Sequence, residues 1–130
     1  MRNAVHPTVD AISLPHVLGA LSDPVRIGLV ALLADGSERG WGEFQVPLSK
    51  STLSHHLRVL RESGITWTRQ EGTRCFVRLR TAELSERFPS VFPAILAAAV
   101  AEPNPVTLAA SGDEDSRDCD NNPDVGVIAS

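Results

Sequence analysis

Long apolar runs, paired cysteines and catalytic signatures are all scarce in this chain of 130 residues. Its longest apolar stretch, 94–101, falls far short of the roughly 18 residues a membrane helix needs, so no membrane partner is expected. The first twenty residues hold Pro7, Asp10 and Pro15 where a secretory signal would place a basic start and an apolar run. Two cysteines, Cys75 and Cys119, are too few for a disulfide framework and fit a reducing, cytoplasmic setting. There is no Gly-rich phosphate loop, no Ser-x-x-Lys and no Cys/His/Asp set on plausible elements, which argues against an enzyme and implies no cofactor. A mass of 14.0 kDa then leaves room for one domain and a tail.

The net charge of −4 speaks against an anionic partner until its distribution is considered. Residues 103–130 carry −5, from Asp113, Glu114, Asp115, Asp118, Asp120 and Asp124 against Arg117. Residues 50–80 carry +5, from Lys50, Arg58, Arg61, Arg69, Arg74, Arg78 and Arg80 against Glu62 and Glu71. A basic window within an acidic chain is the better guide to a partner.

Three segments follow from composition and periodicity. Residues 1–12 read as an N-terminal arm with little pattern, and 103–130, rich in Pro, Asn and Asp and without aromatics, as a disordered acidic tail. Between them, 13–102 alternates helix signals with one hairpin. Ser13 caps a helix whose stripe is Leu14, Val17, Leu18 and Leu21, and Asp23-Pro24 opens a second that stops at Asp35-Gly36. Ser49 caps a third, with Leu53, Leu57 and Leu60 on its buried stripe and Gly64 as its stop. A hairpin follows over 65–70 and 74–80. Thr81 caps a last helical stretch, broken at Phe88-Pro89 and apolar almost all round in its second half. The architecture is mainly α with a β-hairpin wing: a winged helix-turn-helix.

Its third helix suits duplex DNA. Lys50, Ser51, Ser54, His55 and Arg58 lie mostly off the leucine stripe and face outward together, where short polar and basic side chains reach base edges. Arg69 and Arg74 flank the hairpin turn, placed for an adjacent backbone or the minor groove. As a solvated helix face these residues would need no such company. His56, beside the leucine stripe, reads as a partly buried structural histidine. Neighbouring helix positions diverge, so His55-His56 is a poor metal chelate. Cys75 alternates with Val77 and Leu79 as a small core residue, and Cys119 sits between two aspartates that disfavour a thiolate. His6 and His16 have no spacing that demands a site. Trp41 and Trp67 read as packing residues.

The chain resembles the ArsR/SmtB family of winged-helix repressors. The matching residues are Leu21-Ser22-Asp23-Pro24-Val25-Arg26, the block Leu48-Ser49-Lys50-Ser51-Thr52-Leu53-Ser54-His55-His56-Leu57-Arg58-Val59-Leu60-Arg61-Glu62-Ser63-Gly64-Ile65, and Glu71-Gly72-Thr73-Arg74. The resemblance covers about residues 12–101. It implies a homodimeric repressor on an inverted-repeat operator, with double-stranded DNA and a second copy as partners. It places the recognition helix on Lys50, Ser51, Ser54, His55 and Arg58, and the wing on Arg69, Gly72 and Arg74. Dimerisation through the first and last helices falls on Leu14, Val17, Leu18, Phe92, Ile95 and Leu96, and Phe92, Ile95, Leu96 and Val100 leave more apolar surface than one small domain covers. Metal-sensing members carry Cys-x-Cys before the recognition helix or acidic and His ligands on the last helix; residues 37–48 and 82–101 contain neither Cys nor His. No metal is therefore expected at those positions. The alternative is a sensor of the same fold whose metal or small-molecule site is non-standard.

Overall fold

Three side-chain caps start three helices where the sequence places them. In a computed structural model that describes residues 5–109, α1 (Leu14–Ala20) opens on Ser13, whose Oγ accepts the His16 N–H at 3.3 Å. α2 (Pro24–Leu32) opens on Asp23, whose Oδ2 accepts from Val25 at 2.8 Å and Arg26 at 3.1 Å. α3 (Lys50–Glu62) opens on Ser49, whose Oγ accepts from Thr52 at 3.1 Å. Each cap satisfies an otherwise orphaned donor and contributes about 1 kcal/mol.

Between α2 and α3 the chain makes β1 (Arg39–Gly40), one 3-10 turn over Trp41–Glu43, and β2 (Phe44–Gln45). After α3 come β3 (Thr66–Glu71) and β4 (Arg74–Leu79), then α4 (Thr81–Arg87), α5 (Val91–Ala101) and β5 (Thr107–Leu108). β1, β4 and β3 form one antiparallel sheet in that order, with Phe76 of β4 opposite both Gly40 and Arg69. β2 and β5 pair separately, Phe44 opposite Leu108. Leu29, Val30, Leu33, Leu53, Leu57, Leu60, Val77 and Leu84 meet in the core, Cys75 with them. Burying such side chains stabilises the fold by about 1.5–3 kcal/mol each.

The end of α3 is fixed by its backbone. Ile65 N–H reaches Leu60 O and Gly64 N–H reaches Arg61 O, both at 3.0 Å, a Schellman closure. Gly64 takes φ +85°, and a Cβ there would stand 2.5 Å from Cγ1 of buried Ile12.

Both segments flanking the expected 13–102 domain are partly built into it. In the arm, His6 Nε2 accepts the Thr68 N–H at 2.8 Å, Pro7 O accepts from Arg80 Nη1 at 2.8 Å, and Ile12 is buried. At the other end, residues 103–109 are docked rather than part of a tail. Asn104 donates to Gly28 O at 3.0 Å and accepts from Val106 N–H at 2.9 Å, Val106 is buried, and Ala109 N–H reaches Glu43 O at 2.7 Å. A Cβ at Gly28 would collide with the Asn104 amide, so this fastening needs glycine there. Composition averaged over 28 residues missed one apolar anchor and one amide. The remainder of the expected tail, with all its charges and Cys119, lies outside the described residues.

Two smaller expectations also shift. Arg80, not Thr81, stands at the start of α4, without a side-chain cap. Of the residues assigned to dimerisation, Val17 and Phe92 are 1% exposed and pack inside their own chain. Leu14 and Leu18 face outward, as do Val91 and Val100, and Ile95 and Leu96 are half-buried. An α5 apolar on every side carries no phase information, so periodicity could not tell its inner face from its outer one.

Candidate nucleic-acid interface

Leucines at 53, 57 and 60 turn α3 so that Ser51, His55 and Arg58, at i, i+4 and i+7, share the opposite stripe, while Lys50 lies off it in the first turn, in line with Ser54 and Leu57. Lys50 and His55 are exposed; Ser51 and Arg58 are half-buried. Ser54 departs from expectation. It is 3% exposed, beside Leu53 and Leu57, and has left the outward face. The leucine stripe predicts which side is buried, but helices sink a face wider than the stripe alone.

On the wing, Gly72 is exposed at the tip and Arg74 lies 4.9 Å over the Phe76 ring. Arg69 is on the same outer face but is engaged: Glu38 and Glu71 both hold its guanidinium. The seven cations of the basic window therefore divide. Arg61 is buried, 3.8 Å from Glu62. Arg80 is buried against Glu83 at 2.9 Å and stacked 3.8 Å over Trp67. Lys50, Arg58, Arg74 and Arg78 have no carboxylate within 4.0 Å among the described residues. Arg78 was not among the expected contacts, although alternation with Arg74 and Phe76 already put it on the outer face.

His56 ties α3 to the start of α2. Its Nδ1 accepts from Arg26 Nη1 at 3.0 Å, and Arg26 Nε donates to Ala20 O. Accepting that bond requires a neutral ring. Burial lowers its pKa from the ordinary 6.5, with Arg26 and His55 adding to the shift and Asp23 opposing it. Asp23 Oδ2, 3.9 Å from Nδ1, is too distant to reverse the balance. In the unfolded chain this histidine protonates around 6.5, so its contribution to stability is whole above that pH. It falls as pH drops from 6.5 toward the lower folded value. Urea unfolding at about pH 7.5 and about pH 5.5 should show a smaller loss for His56→Gln than for the parent. Equal losses would mean the ring does not titrate in this window.

Residues 23–65, from the Asp23 cap through the end of α3, match the profile of the arsR family of bacterial regulatory proteins. A biofilm growth-associated repressor of Xylella fastidiosa is 40% identical over 77 residues, 58% of this chain and 68% of that protein. The chain belongs to the ArsR family. A biofilm growth-associated repressor of Agrobacterium fabrum is 40% identical over 87 residues, 63% of this ArsR protein and 74% of the relative. An HTH-type transcriptional regulator of Bacillus subtilis, named as uncharacterised, is 32% identical over 84 residues, 62% and 80% of the two chains. Among the described residues of this ArsR protein, no three or more His, Cys, Asp or Glu gather closely enough to hold a metal ion. None of its described helices is long and apolar enough to cross a membrane.

Proposed function

We propose that this ArsR protein is a homodimeric repressor that reads an inverted-repeat operator, one α3 in each half-site. The observation that carries the reading is the outer surface of α3, where Lys50 is exposed in the first turn and Arg58 lies on the outward stripe, neither within 4.0 Å of a carboxylate among the described residues, beside a wing that offers Arg74. Repression is the activity that the names of the Xylella and Agrobacterium relatives carry. Pairing is supported by the outward Leu14, Leu18, Val91 and Val100 on α1 and α5. A two-fold pair would set its reading helices about 34–36 Å apart along the duplex. A regulator acting on a bacterial chromosome works in the cytoplasm, and no catalytic step belongs to this reading.

Lys50→Ala and Arg58→Ala are expected to fold normally and to weaken binding to a duplex from upstream of the protein's own gene. A bidentate base contact would cost about 1–3 kcal/mol, whereas a phosphate contact weakens all sequences alike. Fluorescence anisotropy titrations measure both. Unchanged affinity in the two variants would remove α3 from the interface.

A second reading, effector control, is favoured by one feature. A groove of about 410 Å3 between α2 and α5 is walled by Leu21, Pro24, Ile27 and Ile95, with Asp23 at its side. A small molecule there would touch the residue that caps α2 and approaches His56 of α3.

A further inference from the structure

Arg69 stands on the outer face of β3 close to the wing tip, with 47% of its side chain exposed. Its Nε donates to Glu38 Oε2 at 3.1 Å and its Nη2 to Glu38 Oε1 at 2.8 Å. Nη1 donates to Glu71 Oε1 at 2.6 Å, and the guanidinium carbon lies over the Phe76 ring, 4.5 Å from its centroid. The two-pronged grip on Glu38 uses the same pair of donors with which an arginine grips a phosphate. Arg74 shares the Phe76 ring from across the tip but meets no carboxylate among the described residues. One aromatic ring thus steadies two arginines, of which one is available and one is occupied. Glu38 precedes β1 and reaches Arg69 across β4, so sequence neighbourhood does not force the pairing.

We propose that Glu38 competes with the DNA backbone for Arg69 and thereby sets how tightly the wing binds DNA, a role that rests on reading α3 and the wing as the DNA-facing surface. An exposed ion pair is held weakly enough for a phosphate to displace it. On a duplex of arbitrary sequence the wing then relies on Arg74, because Arg69 is already neutralised. On an operator whose shape holds a phosphate against β3, Arg69 changes partner. Glu38 therefore suppresses non-specific binding more than specific binding.

The test uses the full chain and a labelled random-sequence duplex, with anisotropy titrations at low and physiological salt. Glu38→Gln should tighten binding about 3- to 10-fold at low salt and steepen the salt dependence by about one phosphate contact. Arg69→Ala alone should stay within about twofold of the parent, and the gain should vanish in the Glu38→Gln/Arg69→Ala pair. Glu86→Gln removes the same charge from exposed α4 and should give no gain. Glu38→Asp keeps the charge, shortens the reach and should give an intermediate gain, which covers a poorly folded Glu38→Gln. Parental affinity in both Glu38 variants, or a gain that survives loss of Arg69, overturns the proposal. If Lys50→Ala and Arg58→Ala weaken binding in that case, the DNA-facing surface stands and only the role of Glu38 falls. If they too leave the random duplex unaffected, the surface itself is misassigned.

Discussion

A protein carrying Leu18→Glu and Val100→Glu is expected to fold like its parent, sediment as a monomer and lose about 100-fold or more in operator affinity. Leu18 is 48% exposed and Val100 58% exposed in the single chain, so glutamate at either place leaves the core intact. In a pair joined through α1 and α5, those carboxylates would be driven into an apolar contact without partners, which costs several kcal/mol. Affinity falls so far because the second half-site is held at high effective concentration only while the two chains are joined, and such coupling is worth about 10²–10⁴. Sedimentation velocity reports the state of assembly, and a footprint should shrink from two half-sites to one. A dimer that survives both substitutions would place the interface elsewhere.

Gly64→Ala is expected to cost about 2–5 kcal/mol in stability. Left-handed backbone costs a residue with a Cβ about 1–2 kcal/mol, and crowding a filled core costs about 1–3 kcal/mol more. Both penalties apply at φ +85° with Ile12 Cγ1 at 2.5 Å. Gly64→Asn separates them. Asparagine tolerates the backbone but still brings a Cβ, so it should recover only the smaller part of the loss. Urea midpoints decide: an Asn variant as stable as the parent would show that Ile12 moves aside without cost.

Local signals were legible and long-range ones were not. Ser13, Asp23 and Ser49 each announce a helix start because a cap is chemistry within three residues. The leucines of α3 fix its inner face for the same reason. Ser54 breaks the expected pattern because stripe spacing gives the direction of burial but not its width. Val17 and Phe92 are buried in their own chain, and an apolar excess does not say which of its members the chain uses itself. Glu38 left no trace in any motif. Its grip on Arg69 depends on β1, a strand of two residues that no periodicity can reveal. β5 leaves no trace either, since two residues are too few for any alternation to show.

The pairing of β2 with β5 also sets an order of assembly. The chain is made from its N-terminus, so the residues of α3 exist well before Thr107 and Leu108 do. Until those residues emerge, Phe44 and Gln45 have no strand to rest on, and the stretch leading into α3 lacks its hydrogen bonds from Thr107 and Ala109. Contacts this distant along the chain close late, because the intervening loop must surrender its entropy first. A growing polypeptide thus holds all the residues of α3 before it acquires the fastening that steadies the stretch ahead of it, and a fragment ending between Glu62 and Val106 has the first without the second.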